Sequence, residues 1–396
     1  MALLLGAVPP EPGCIPAVRL RGARVAGRLD VMGAVVGFGL ICESCWFDTA
    51  PRFVEATTKT VRLVGCSLAG FDGTRMRTEG ILNFYQTKVR GVLRMDRATV
   101  AGEVCLGQAL VDGGSGEAVA ARGLIVSGDL DCTDMISDGP VQLRNARIDG
   151  AVQLTGAQIS CPGGLAVDAT NAVIGAGWDG DGMIVQGETR LRHARIAGSL
   201  RFAAARLSNS GGVALGAGGL AVEGGVWCAG LSASGEIRLV GARLGVNLTL
   251  TGAELCNPTG PALNLDRASL YDLDATDLVV SGGLVTLIGA EIASRVNMAR
   301  ARLTGGNGAM ALDADGARIR RRLVLDQAQI IGEVSVSSAN LGSRILLRRA
   351  RVENPDGTAL RLSPVDVAVD VLCEDMVAVG RVDLTGRPNL RSLSVI

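Results

Sequence analysis

A small residue recurs at a constant interval between Ala317 and Ala350, and this recurrence is the strongest constraint on the fold. The four positions are Ala317, Ala328, Ala339 and Ala350. An apolar residue stands two positions after each alanine, and two apolar residues at alternate positions, such as Leu323 and Leu325, precede the next alanine. Alternation with a period of two is typical of half-buried β-strands. The repeat therefore predicts short strands whose small and large apolar side chains share one interior.

The same recurrence continues through most of the chain, and we call its small residue the anchor. Anchors follow one another at nearly equal intervals at Ala23, Ala34, Cys45, Ala56, Cys66, Met76, Thr87, Ala98 and Ala109. From residue 109 to residue 365 the spacings of 15, 11, 11 and 11 form a superperiod of 48 residues. The anchors of four of these superperiods are Leu124, Met135, Ala146, Ala157, Ala172, Met183, Ala194, Ala205, Leu220, Leu231, Ala242, Ala253, Ala268, Val279, Ala290 and Ala301. We expect a single β-solenoid domain over residues 18–396, preceded by an N-terminal lead-in or cap at residues 1–17.

Two successive repeat units are expected to close one coil of about 22 residues. Each long spacing contains a glycine-rich insertion, predicted to be a loop on every second coil. These insertions begin at Asp112, Ser160, Ser208, Cys256, Thr304 and Glu353. Glycine also lies four positions after many anchors, where we predict corners with a positive φ. These corner glycines are Gly27, Gly91, Gly102, Gly128, Gly150, Gly187, Gly198, Gly235, Gly283, Gly332 and Gly380.

The Ala-x-Leu/Ile motif between short strands resembles the pentapeptide-repeat family. That resemblance implies a right-handed parallel β-helix of quadrilateral section, with one small and one large residue of every five pointing inward. Here residues 317–321 form a five and residues 322–327 a six. The stretch from Ile15 onward also resembles Arg/Gly/Ala-rich repeats of bacterial proteins labelled membrane-associated oxidoreductase. A bactofilin-like polymerising solenoid is a further resemblance. The sequence therefore predicts an all-β fold.

Composition restricts the partners that this chain can bind. Lys+Arg and Asp+Glu both number 39, so no overall field attracts nucleic acid or imitates DNA, and no specific nucleic-acid partner is expected. No apolar run approaches the length of about 18 residues that a membrane-spanning helix needs, and the N-terminus lacks a basic segment typical of export. Ten cysteines without an export signal favour reduced thiols in the cytoplasm. A peripheral contact at the inner face of the membrane is compatible with this location.

Cysteine, histidine and aspartate residues were considered as sites of chemistry. Cys42 and Cys45 form a CxxC motif, but both fall on inward positions, which predicts buried core residues without metal or cofactor. His193, the only histidine, precedes an anchor and is expected to be exposed. Asp179 and Asp181 are the best carboxylates for an enzymatic alternative, although an Asp/Gly turn is their ordinary role. No catalytic, cofactor-binding or metal-binding residue is therefore predicted.

Arginine is concentrated near the C-terminal end of the repeats. The candidate partner-binding basic patch comprises Arg318, Arg320, Arg321, Arg322, Arg344, Arg348, Arg349 and Arg351. One interpretation is a solvated face that discourages sheet aggregation. The other is a basic patch for a phosphate-bearing partner or a lipid surface. No aromatic residue interleaves with these arginines along the sequence, so stacking of single-stranded nucleic acid is not expected.

The favoured hypothesis is a non-catalytic scaffold or interaction rod with a protein partner. The alternatives are a β-helix-type enzyme, either a membrane-associated oxidoreductase or a polysaccharide-active protein, and a pentapeptide-repeat-like protective factor. At the C-terminus, Leu393 and Val395 are predicted to be the inward pair of an incomplete coil. An uncovered coil predicts either a homo-oligomer formed through this end or a longer parent chain.

Overall fold

The structure is a computed structural model that describes Leu4, residues 17–306 and 310–384, and the backbone of residues 390–395. The chain forms two compact units. Unit 1 comprises Met1–Arg190 and Ala194–Gly198, and unit 2 comprises Leu191–His193 and Ser199–Ile396. The predicted lead-in lies outside the described residues except for Leu4 and Ala17.

Parallel β-strands stack coil upon coil in both units, and the described residues contain no α-helix. The prediction of an all-β solenoid is confirmed. Gln329 pairs with Arg351 and Arg348 bonds to Asp326, so this coil, which has no insertion, contains 22 residues, whereas Thr57 pairs with Arg77 at a separation of 20 residues. Coils that contain an insertion are longer, since Ser160 pairs with Gln186 at a separation of 26 residues. Four strand positions recur in each coil, and we call the resulting stacks faces A to D.

In unit 1, face A contains Arg24–Val25, Trp46–Phe47, Ser67–Leu68, Lys88–Arg90, Leu110–Asp112, Ile136–Asp138, Gln158–Asp168 and Ile184–Arg190, of which the last two continue into face B. Face B adds Phe71–Asp72, Leu93–Arg94, Val119–Ala120 and Val141–Gln142. Face C contains Val35–Val36, Thr57–Thr58, Arg77–Thr78, Thr99–Val100, Ile125–Val126, Arg147–Ile148, Val173–Ile174 and Arg195–Ile196. Face D contains Ala17–Arg21, Gly39–Glu43, Val61–Val64, Leu82–Asn83, Val104–Cys105, Leu130–Asp131, Val152–Gln153 and Trp178–Asp179.

In unit 2, face A contains Arg206–Gly216, Ser232–Arg238, Glu254–Cys256, Val279–Ser281, Arg302–Thr304, Gln329–Ile331 and Arg351–Arg361. Face B adds Pro261–Asn264, Leu284–Thr286, Met310–Asp313 and Glu333–Ser335. Face C contains Ala221–Val222, Arg243–Thr249, Ser269–Asp274, Glu291–Ile292, Arg318–Ile319, Asn340–Leu341 and Asp366–Val367. Face D contains Leu200–Arg201, Val226–Trp227, Val296–Asn297, Leu323–Val324 and Arg344–Leu346. Asp370–Asp383 and Leu390–Val395 each run through more than one face.

The interior of each coil is made of the anchors and the alternating apolar residues. Ala317 and Ala328 are fully buried, as are Leu323 and Leu325 to within 1%. Val324, which lies between the two leucines, is only half-buried because it points outward. The inward positions derived from the repeat are therefore confirmed for these residues.

One anchor was predicted one residue too late. Leu278 is fully buried, whereas Val279 is half-buried and begins a strand of face A. The N–H of Leu278 donates to the carbonyl of Ala275, the same three-residue turn that Ala268 makes with Leu265. The prediction of Val279 was wrong because Leu278, Val279 and Val280 are all apolar, so hydropathy alone left the inward position ambiguous.

Positive φ angles occur at two kinds of turn. Seven of the eleven predicted corner glycines adopt a positive φ, among them Gly187 at 118° and Gly380 at 119°. The prediction is wrong for Gly102, Gly128, Gly150 and Gly198, which lie outside the left-handed region. Many residues directly before an anchor are also left-handed, including non-glycine residues such as Gln327 at 59°. The chain reverses direction there by a tight turn.

Each of the six insertions begins where the face A residues of its coil end. Those at residues 160–164, 208–212 and 353–357 were predicted to be loops but lie within 11-residue strands. Ser160 pairs with Gln186 and Leu165 with Glu188, so the extra residues bulge out while both flanks remain paired. The insertions at residues 112–116 and 256–260 do form turns. The insertion beginning at Thr304 extends outside the described residues.

Part of the prediction for the C-terminal end concerns residues that the structure does not describe. The backbone of Leu390–Val395 pairs in parallel with Asp370–Asp383 and so continues the stack. The side chains of Leu393 and Val395 and residues 385–389 lie outside the described residues. Self-association through this end stays a prediction.

Candidate functional site

The eight predicted arginines do not form one patch. Arg318 lies on face C, and Arg320, Arg321 and Arg322 form the corner between faces C and D. Arg344 begins a face D strand, Arg348 and Arg349 turn the corner between faces D and A, and Arg351 begins a face A strand. The arginines therefore occupy two separate corners of unit 2.

Five of these arginines contact carboxylates. Arg318 lies 2.9 Å from Glu291, Arg344 lies 2.7 Å from Asp370, and Arg349 lies 3.9 Å from Asp375. Arg348 pairs with Asp326, and Arg351 with Glu353. All but the last of these acidic partners come from a neighbouring coil. The solvated-face interpretation therefore fits these five arginines.

Arg320, Arg321 and Arg322 differ from the other five. All three side chains are exposed, and none has a carboxylate within ion-pair distance among the described residues. We call these three residues the arginine triad. Because the chain as a whole is neutral, the triad is a local concentration of positive charge that no described carboxylate neutralises.

A groove of about 410 Å³ adjoins the triad at the corner between faces C and D. Arg321 and Arg322 line one end, and Val246 and Tyr271 line the other. Arg295 lies between them and is neutralised by Asp272, whose Oδ2 is 3.3 Å from Arg295 Nε. The groove thus has an apolar, aromatic end and a cationic end.

Tyr271 is the residue that the sequence analysis missed. It lies two coils before Arg321 along the chain, yet the pairing of Leu270 with Ile292 and of Ile292 with Ile319 brings the two residues to one corner. Tyr271 is 53% exposed. The expectation that no aromatic residue accompanies the arginines holds along the chain but is wrong in three dimensions.

A larger groove of about 620 Å³ lies at the corner between faces D and A. Its charged residues are mostly paired with one another: Arg300 donates to Asp277 through two hydrogen bonds of 2.7 Å, and Arg349 lies near Asp375. The hydrogen bonds from Arg300 lower the pKa of Asp277 below its ordinary value. Arg302 also lines this groove and has no ion pair among the described residues. Because Arg302 alone among its four arginines lacks a carboxylate contact within the described residues, this groove is the weaker candidate for an ionic ligand.

The cysteines of the CxxC motif lie in the core, as predicted. Cys42 is fully buried and Cys45 is exposed by 1%. Burial, with a smaller contribution from Cys45, raises the pKa of the Cys42 thiol to about 12. Cys66, which follows one coil later, has its pKa raised to about 11 by burial. A thiol with so high a pKa is a poor nucleophile near neutral pH. Within the described residues, no group of three or more His, Cys, Asp or Glu side chains is arranged to hold a metal ion.

The remaining sequence candidates have ordinary positions. His193 is exposed and adopts a left-handed φ of 55° in the turn before Ala194. Asp179 Oδ1 accepts a hydrogen bond of 3.0 Å from the N–H of Asp181, the contact expected of an Asp/Gly turn. Cys132 and Cys228 are also buried in the core.

Comparisons with protein-family models, with curated proteins and with solved structures find no match for this chain. Among the described residues, no helix has the length and apolar character that crossing a membrane requires. The function is therefore inferred from the grooves and the charges.

Proposed function

We propose that this protein is a non-catalytic β-helical scaffold that binds a phosphate-bearing partner through the arginine triad. The observation that carries the proposal is the contrast among the eight arginines. Arg318, Arg344, Arg348, Arg349 and Arg351 contact carboxylates, while Arg320, Arg321 and Arg322 contact none within the part of the chain that the structure describes. Three adjacent guanidinium groups offer paired donors that match phosphate oxygens.

The structural setting supports a role in recognition. The triad stands at a corner whose backbone is fixed by hydrogen bonds to the neighbouring coil, such as Arg320 N–H to the carbonyl of Ile292 and Arg321 N–H to that of Ser294. A rigid backbone lowers the entropy lost when arginine side chains are ordered by a ligand. The proposal places the protein in the cytoplasm. There the triad could also contact phosphate groups at the inner face of the membrane.

The test is affinity capture from a host lysate that retains its membranes, followed by mass spectrometry. The bait is the full chain, either wild type or carrying R320E/R321E/R322E. The matched control carries R62E/R77E/R94E, which makes the same charge change at three exposed arginines of unit 1 that have no ion pair among the described residues. We expect the triad variant to lose partners that the wild type and the control retain.

The outcomes separate the alternatives. Enrichment of membrane vesicles that depends on the triad would assign the phosphate to lipid headgroups. Identical partners for all three baits would contradict the proposal. Flavin or nicotinamide absorbance in the purified chain, or cleavage of a polysaccharide, would favour the enzymatic alternative instead.

A further inference from the structure

The groove beside the triad has two chemically different ends. Val246 and Tyr271 are 44% and 53% exposed, so an apolar and an aromatic side chain both face solvent at one end of the groove. At the other end stand Arg321 and Arg322, neither of which forms an ion pair among the described residues, since the groove's one carboxylate, Asp272, is paired with Arg295. A ligand that fills the whole groove therefore needs an apolar planar part and an anionic part.

The spacing of the coils sets the distance between these two parts. Leu270, which precedes Tyr271, pairs with Ile292, and Ile292 pairs with Ile319, two positions before Arg321. Tyr271 and Arg321 thus belong to coils two strand spacings apart, which is about 10 Å. The intervening Arg295 is held by Asp272 through contacts from both its side chain and its backbone N–H. The free charge is therefore concentrated at the far end from the ring.

We propose that this groove binds a nucleobase joined to phosphate, in the form of a nucleoside diphosphate or the end of a nucleic-acid strand. The base stacks on the ring of Tyr271, and the phosphates accept hydrogen bonds from Arg321 and Arg322. Aromatic stacking accepts any base because every base has a flat π-face. Guanidinium groups form paired hydrogen bonds with phosphate oxygens. This inference rests on the proposed function. It specifies that the phosphate-bearing ligand also carries a nucleobase.

Other phosphate compounds meet only part of this arrangement. Inorganic phosphate has no group for Tyr271, and a nucleoside without phosphate has no group for the arginines. A phospholipid headgroup shares the phosphate alone. The ring and the arginines together therefore distinguish a nucleotide from either fragment.

The experiment is isothermal titration of the full chain with ADP, adenosine and inorganic phosphate, together with a short single-stranded oligonucleotide. The variants are Y271A and R321A/R322A. The control is R302A. Arg302 lines the other groove of unit 2, is exposed, and forms no ion pair among the described residues. Circular dichroism melting confirms that each variant is folded.

We expect ADP to bind more tightly than adenosine or phosphate. Y271A should weaken ADP binding by about 10-fold, in the range found when a stacking aromatic is removed. R321A/R322A should abolish the binding, and R302A should leave it unchanged. An oligonucleotide that binds more tightly than ADP and is weakened by Y271A would assign the base to a strand.

Two results would overturn the inference. ADP binding that Y271A leaves unchanged while R321A/R322A abolishes it would show a simple anion site, which leaves the proposed function intact. Undetectable binding of both ADP and the oligonucleotide would also reject the inference that the groove binds a nucleotide. The proposed function would stand, since a phosphorylated protein could still bind the triad. The proposed function itself is rejected by a separate result, namely that the R320E/R321E/R322E variant captures the same partners from the lysate as the wild type.

Discussion

Arg348 Nε donates hydrogen bonds to both carboxylate oxygens of Asp326, at 3.2 and 3.1 Å, across a separation of 22 residues. The backbone N–H of Arg348 also donates to Asp326 Oδ1 at 3.0 Å. The two residues directly follow inward leucines of face D, where Leu323 pairs with Ile345 and Val324 with Leu346. One ion pair thus spans one coil, in agreement with the predicted coil of about 22 residues.

The Asp326–Arg348 pair should contribute little to stability. Arg348 is about half exposed, and water screens exposed ion pairs strongly. In a double-mutant cycle of D326A and R348A, urea unfolding should give a coupling free energy of about 1 kcal/mol or less. A coupling several times larger would show that the pair is shielded from solvent.

The inward anchor should be far less tolerant of substitution than an outward residue. Ala328 is fully buried in the coil interior, so A328F should lower the free energy of unfolding by about 1–3 kcal/mol or prevent folding. R318A removes only an exposed ion pair with Glu291 and should cost less than about 1 kcal/mol. Equal melting temperatures for the two variants would mean that the inward assignment is wrong.

Gly187 should be indispensable beneath its insertion. Its φ is 118°, and a Cβ there would lie 2.4 Å from the carbonyl oxygen of Cys161 in the bulge. Gly182, with a φ of 66° and no atom within 4 Å of such a Cβ, is the matched control. G182A should cost about 1–2 kcal/mol for the left-handed backbone alone. Thermal melting should show a clearly larger loss for G187A, and equal losses would contradict the close approach.

Acid should remove the stabilisation supplied by Asp168. Burial of this fully buried side chain opposes its ionisation, but hydrogen bonds from Thr170 and Arg144 outweigh burial and lower the pKa of Asp168 below its ordinary value of 3.8. A depressed folded-state pKa stabilises the fold above the unfolded-state pKa and loses that effect as the pH falls through the folded-state pKa.

The measurement is urea unfolding of the wild type and D168N at pH 7 and near pH 3. At pH 7 the wild type should be more stable than D168N by about 1–3 kcal/mol. The gap should narrow at the lower pH, because Asp168 of the unfolded wild type binds a proton at a higher pH than Asp168 of the folded wild type does, whereas the asparagine of D168N does not titrate. A gap that widens on acidification would reverse the sign of the inferred pKa shift.

The fold was predictable because the inward positions repeat with few exceptions. Alanine at positions such as Ala317 and Ala339, with leucine or isoleucine between them, leaves only one side of each strand apolar. The prediction failed at Val279, where neighbouring residues are equally apolar. It also failed at the insertions, since composition cannot show that the flanks of a bulge stay paired with the next coil.

The groove was not predictable for a different reason. Tyr271 and Arg321 become neighbours only after two coils of unequal length are added, and the lengths differ because one of the two coils contains an insertion. The neutralisation of Arg344 by Asp370, which follows one coil later, likewise depends on the length of a particular coil. Sequence gives the charges, but the coil lengths decide which charges meet.

The coil length can be measured directly by disulfide trapping. The full chain would carry D326C with R348C, or D326C with S337C as the control, and cross-linked peptides would be identified by mass spectrometry after mild oxidation. Adjacent parallel strands place paired residues within the range of a disulfide. The stacking of Asp326 beneath Arg348 predicts the 326–348 cross-link and no 326–337 cross-link. The reverse pattern would indicate a coil of half this length and would contradict both the fold and the groove that depends on it.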